Sequence, residues 1–264
     1  MAGQAKPIRV VVFTGGPELE PQLVKFLERL EQDPSIALVA IFSESPHRGA
    51  SGVVRDLWAR RGVLALPLLM LRVAHHFWRE TVTRGVSQRR RNLLVQLQSR
   101  IYFVADIHDP GVIEHVRDLK PELGLVYGGA ILKPELFGAP DRGTLGIHHG
   151  KVPEYRGKKT TFWAMYNGEP EVGVTIQQIG SRLDGGEVLL EGRVPVGRQP
   201  LPCVKRRLEK LGLDLYLQAV HSVREGSAVY LAQPMQSATL YRDPGAVDIV
   251  RFWIRYLLRL IRIP

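Results

Sequence analysis

The sequence predicts a three-layer α/β fold built on a mostly parallel sheet. Two observations carry this expectation. The apolar runs IRVVVF (8–13), IALVAIF (36–42) and LGLVY (123–127) lack polar alternation, as strands buried on both faces do. These runs also alternate with segments of helical periodicity, which puts helices on the faces of the sheet they form. The 264 residues suit one large domain, or a domain with an appendage, and 45% apolar residues is enough for a full core.

The first run ends at Thr14-Gly15-Gly16-Pro17. A helical pattern of Leu19, Leu23, Phe26, Leu27 and Leu30 then leads into the second run. This is a βαβ unit, for which a right-handed crossover is expected. Its glycine turn lacks the third glycine of a dinucleotide fingerprint. Residues 50–100 break the rhythm. The uncharged stretch GVLALPLLML (62–71) is too short to span a bilayer and contains Pro67; Arg72, His75-His76 and the basic RGVSQRRR (84–91) follow. This region reads as an inserted helical segment. Alternation resumes with a strand over 101–105, then a helix over 110–119 with Asp109 as its N-cap. Strands follow over 123–127 and 144–148, then a helix over 160–166. Strands over 172–179 and 187–194, joined by 180–186, precede a long helix over 202–225. The expected organisation is a Rossmann-like domain over 1–200, with the helical insertion at about 50–100, and a C-terminal helical extension over 201–264.

Composition narrows the function. One cysteine, Cys203, excludes an internal disulfide framework and a multi-cysteine metal site, and no metal is expected. The N-terminus runs into a strand without a charged and apolar leader, so a cytoplasmic location is expected. The net charge of +10 would attract a phosphate-rich partner or an anionic membrane. The arginines, however, concentrate at 84–91 and in the tail, and no nucleic-acid-binding signature accompanies them, so no nucleic-acid partner is expected.

The candidate chemistry lies where strands end, since open α/β sheets bind ligands at the carboxyl ends of their strands. His148 closes the strand 144–148 and can move a proton near neutral pH. Asp184, in a glycine-flanked loop, can orient an imidazole and hold its positive form. Their separation by 36 positions says little by itself. His149 points to the opposite face if the strand continues, and is expected to support the turn through a structural hydrogen bond.

Residues 123–194 carry a longer pattern: His148, then Pro153, Arg156-Gly157, a helix bearing Trp163, Gly173-Val174-Thr175, and Asp184-Gly185-Gly186. In order and spacing this resembles the folate-dependent formyltransferase family, and with the N-terminal βαβ unit the likeness covers most of 8–194. The resemblance implies a formyltransferase-type fold and transfer of a formyl group from 10-formyltetrahydrofolate to a primary amine. His148 and Asp184 would be the catalytic pair. Protonated His148 would stabilise the oxyanion or protonate the departing folate nitrogen. Asp184 would position His148 and a water and help remove the amine's proton. The segment YGGAILKPELF implies a folate pocket, with cofactor-binding backbone at Gly129, Ala130 and Leu132 and at Ser181, Arg182 and Leu183 of the facing loop. The family's catalytic asparagine, two residues before the histidine, corresponds here to Gly146, which has no amide to donate to the formyl oxygen. Loss of one such donor costs roughly 100- to 1,000-fold in rate. A catalytically impaired folate- or nucleotide-binding protein of the same fold is therefore the alternative to an active enzyme.

The acceptor is expected to be a small-molecule amine. Residues 201–264 read as helix, where methionyl-tRNA formyltransferase carries a β-barrel, and TGGPELEP after the first strand ends in acids that would repel phosphate. By resemblance the better analogue is an enzyme acting on another amine, with an amino sugar on a nucleotide or lipid carrier as the leading candidate. In the tail, Arg251, Arg255, Arg259 and Arg262 form one stripe of a helix. Ile249, Phe252, Trp253, Ile254, Leu257, Leu258, Leu260 and Ile261 make up the rest. So wide an apolar face needs covering by the protein's own core, a second subunit in a homodimer, or a membrane surface met by 247–264. A membrane-peripheral interaction protein is the corresponding third reading.

Overall fold

A computed structural model describes residues 6–15, 21–44, 84–128, 131–234 and 238–261. Strand β1 (Ile8–Gly15) leads through α1 (Pro21–Gln32) to β2 (Ile36–Glu44). Helix α2 (Arg84–Leu97) and a 3-10 turn (Gln98–Arg100) precede β3 (Ile101–Val104) and α3 (Pro110–Asp118). Then come β4 (Leu123–Val126), the one-turn α4 (Pro134–Phe137) and β5 (Thr144–His148). The two-residue β6 (Arg156–Gly157) precedes α5 (Thr160–Asn167), β7 (Glu171–Gln178) and β8 (Val188–Pro195). The long α6 (Leu201–Glu225), the two-residue β9 (Leu240–Tyr241) and α7 (Ala246–Ile261) complete the order. Of the predicted insertion, α2 is the described part; the apolar stretch 62–71, the pair His75-His76 and the end of the first turn at 16–17 lie outside the described residues.

The main sheet runs β3-β2-β1-β4-β5-β7-β8. Strands β3, β2, β1, β4 and β5 are parallel, and β7 and β8 join antiparallel. The antiparallel pairing of β8 with β7 has a local cause. Loop 180–186 is short enough for β8 to return directly beside β7, with no helical crossover to reset its direction.

The buried side chains of β1 alternate between two clusters. Val10 and Val12 pack with α1 and α6, and Val11 and Phe13 with α3 and α4. Phe26 of α1 stacks between Tyr127 and Tyr216, at centroid distances of 5.0 and 4.9 Å. The buried Tyr216 hydroxyl lies 3.0 Å from Val126 O and 2.8 Å from Leu145 O, joining α6 to the ends of β4 and β5. Asp109 caps α3 as predicted, its carboxylate accepting from the Gly111 N–H at 2.8 Å.

Candidate functional site

The site forms where β5 and β7 end. Alternation along β5 places Gly146 and His148 on one face of the sheet. Ile147 lies on the other, towards α6, where Gly212 leaves room for it. His148 is buried, 8% exposed. Its Nε2 donates to the Tyr155 carbonyl at 2.8 Å, so the ring proton sits there and Nδ1 is the nitrogen that can gain or lose one. Nδ1 lies 3.3 Å from Asp184 Oδ1. The fold therefore brings together the two residues that the sequence singled out.

Residues 155–157 hold both members of this pair. Tyr155 O takes the His148 Nε2–H. The Arg156 guanidinium donates to Leu183 O, at 2.9 Å from Nε. The Gly157 N–H donates to Asp184 Oδ2 at 2.7 Å. Asp184 stands in left-handed backbone, φ +48°, a conformation that aspartate tolerates better than most residues. The Arg-Gly pair of the sequence pattern thus positions the loop that carries the carboxylate.

Two supports had no signal in the sequence. Gln233, in the irregular chain after α6, donates from Nε2 to Asp184 O at 3.2 Å, to Gly186 O at 2.6 Å and to Gln177 Oε1 at 3.0 Å. Strand β9 pairs with β6, so the chain after α6 braces the segment that braces the site. Neither could have been read from periodicity, because a single glutamine in irregular chain and a two-residue strand have none.

The other candidate residues fall as follows. Leu132 is buried among Val11, Phe13 and Leu136, while Ser181, Arg182 and Leu183 form an exposed loop. The N–H groups of Ser181, Arg182 and Leu183 have no acceptor among the described residues. Gly129 and Ala130 lie outside the described residues. Above Gly146, the space a side chain would use holds Ile179: a Cβ there would lie 2.5 Å from Ile179 Cδ1.

The hydrogen bond expected of the His149 imidazole is not made through Nε2, which is buried with no hydrogen-bond partner among the described residues. It is the backbone carbonyl of His149 that is used, accepting from the hydroxyls of Thr160 and Thr161. Burial, with the positive charges of His148 and Lys205, lowers the His149 pKa to about 4, so the ring is neutral at physiological pH.

Glu44, Asp106 and His108 also gather at the ends of β2 and β3. His108 Nε2 accepts the Lys133 N–H at 3.1 Å, which puts the ring proton on Nδ1, facing Asp106 at 3.4 Å. With both nitrogens engaged, that imidazole has no lone pair for a metal.

A sequence model described as "Formyl transferase" matches residues 82–220. Methionyl-tRNA formyltransferase of Roseiflexus castenholzii is 30% identical over 162 residues, 59% of this chain and 50% of that protein. The chain spans about half the length of the curated relatives it matches. Among solved structures, glycinamide ribonucleotide transformylase 1 from Symbiobacterium toebii aligns with a TM-score of 0.59 at 16% identity, over 88% of this chain and 97% of that one. The sugar 3N-formyl transferase WlaRD aligns at 0.53 and 16% identity, over 90% and 70%. At such identities these structures show the shared fold alone. The family match spans more than half of the chain and contains both His148 and Asp184, and the chain belongs to the formyl transferase family.

Proposed function

We propose that this protein transfers a formyl group from 10-formyltetrahydrofolate to a small primary amine. One observation carries the reading: His148 and Asp184 meet at 3.3 Å while each is held from behind by the same segment, 155–157. Such an arrangement keeps a proton-transfer pair in place without help from a ligand. Asp184 Oδ1 is the oxygen not taken by Gly157, so it can accept a proton from an incoming ammonium or amine. His148 Nδ1, facing that oxygen, would relay the proton to the departing folate nitrogen, and the cation formed in between would stabilise negative charge developing on a bound acyl oxygen. Arg156 holds both roles in register by fixing Leu183, the residue before Asp184.

The folate fits the chemistry of the loop. Ser181, Arg182 and Leu183, in an exposed loop, offer N–H groups with no acceptor among the described residues, suited to the acceptor edge of a pterin. When bound, the cofactor supplies an activated formyl carbon. WlaRD, of the same fold, was solved in the presence of dTDP and 5-N-formyl-THF, and an amino sugar on a carrier is the acceptor class we favour. Assay of 10-formyltetrahydrofolate against a panel of amines, including nucleotide-linked amino sugars, tests this. Formylation of one of them is expected; loss of that activity in His148→Ala or Asp184→Ala is expected as well, and full activity in either overturns the mechanism.

A second reading rests on Gly146. Ile179 fills the space beside His148, so an apolar methyl stands where a side-chain donor would serve the acyl oxygen. This favours a folate-binding relative with weak or no turnover. Calorimetric binding of 10-formyltetrahydrofolate with no formyl product from any amine would select it.

A further inference from the structure

Helix α7 meets the body of the protein through its arginine-bearing side. Phe252 is buried against Phe162, with ring centroids 4.8 Å apart. Arg255 lies over the Tyr166 ring, 4.5 Å from its centroid, and donates to Tyr166 O at 3.0 Å. Arg259 donates to Met165 O at 3.2 Å. These carbonyls belong to the last turn of α5, the negative end of its dipole, where a guanidinium is favoured. The Tyr256 hydroxyl donates to Arg198 O at 3.3 Å. At 100° per residue these docking groups share one arc of about 100°.

The opposite arc is apolar and uncovered. Val247, Val250, Trp253, Ile254, Leu257 and Leu258 are each 48 to 61% exposed. Arg255 and Arg259, which could have solvated a free helix, are engaged with the end of α5 instead. A contiguous apolar face of this size marks a surface that something covers.

Charge selects the occupant. Between 242 and 262 the chain carries five arginines against two acids, Asp243 and Asp248, and the whole chain carries +10. A second copy would bring the same sign to the contact, whereas an anionic bilayer brings the opposite one. The face is largely aliphatic and bordered by exposed Arg251, and Trp253 supplies an indole suited to headgroup depth. No helix among the described residues is long and apolar enough to cross a membrane, so α7 can lie along one but not across it.

We propose that α7 binds the surface of an anionic membrane, with Val247, Val250, Ile254, Leu257 and Leu258 in the acyl boundary and Arg251 at the phosphates. The test is flotation of the full chain with phosphatidylcholine vesicles, with and without phosphatidylglycerol, at low and high salt. Binding is expected on the anionic vesicles, weakened by salt. It is expected to fall roughly tenfold or more when Ile254→Glu and Leu257→Glu are combined. Both side chains are solvent-facing, and an unchanged thermal melt would show that the variant folds. On the unaltered chain, Trp253 emission should shift to the blue and resist acrylamide quenching on anionic vesicles, with Trp253→Phe assigning the signal. Equal flotation of variant and parent, or no flotation of the parent, overturns the proposal. So does a dimer in sedimentation, lost in the same variant, without vesicle binding.

Discussion

The backbone N–H of Gly157 donates to Asp184 Oδ2 at 2.7 Å, and both residues stand in left-handed backbone, φ +89° and +48°. A Cβ on Gly157 would press on the Tyr241 carbonyl oxygen across the β6–β9 pair. Gly157→Ala is therefore expected to cost roughly 1–3 kcal/mol in urea unfolding and to lower activity by freeing Asp184.

Asp184→Asn keeps an acceptor for the Gly157 N–H but removes the charge beside His148. The expected result is a folded protein whose kcat for formyl transfer falls by roughly 100-fold or more, with folate affinity measured by calorimetry little changed.

Gly146→Asn restores an amide on the face of His148, but Ile179 Cδ1 stands 2.5 Å from the new Cβ. The single substitution is expected to destabilise by roughly 1–3 kcal/mol through overpacking. Adding Ile179→Ala opens the space. Formyl transfer is expected to rise in the double variant above both the parent and the single variant; activity equal to the parent's would show that the missing amide is not what limits the rate.

The buried ring of His149 gives stability a pH dependence of definite sign. Its pKa is about 4 in the folded chain against 6.5 for an ordinary, solvated histidine, so the unfolded state binds more protons between those values. Stability contributed by the neutral ring is present above pH 6.5 and is lost as pH falls towards 4, by up to roughly 3 kcal/mol. His149→Leu should flatten chemical-unfolding midpoints across that window. An unchanged slope would assign the dependence to other groups.

Tyr216→Phe removes the buried hydroxyl that meets Val126 O and Leu145 O. A loss of roughly 1–2 kcal/mol is expected, read as a lower urea midpoint with unchanged m-value.

The strands with strong apolar runs were legible because burial on both faces leaves a one-dimensional mark. Strand 144–148 falls at its predicted bounds, and 172–179 and 187–194 are each shifted by one residue. The helix predicted over 202–225 runs from Leu201 to Glu225. Strands β6 and β9 carried no such mark, since two residues cannot show a period. In the tail, the wide apolar surface was legible but its direction was not. Pairing of Arg255 and Arg259 with the last carbonyls of α5 turns the helix so that the apolar face looks outward.

By itself, the sequence determined the layered α/β architecture, the family pattern and the two residues His148 and Asp184, because local burial and short motifs are written in neighbouring letters. Only the tertiary structure decided that Asp184 reaches Nδ1 of His148. It also decided that Tyr155, Arg156, Gly157 and Gln233 hold the pair in place, and that Ile179 occupies the space over Gly146. Those contacts join residues from 7 to 49 positions apart. No local pattern specifies such distances; they are set by how β5, β7 and the chain after α6 pack against one another.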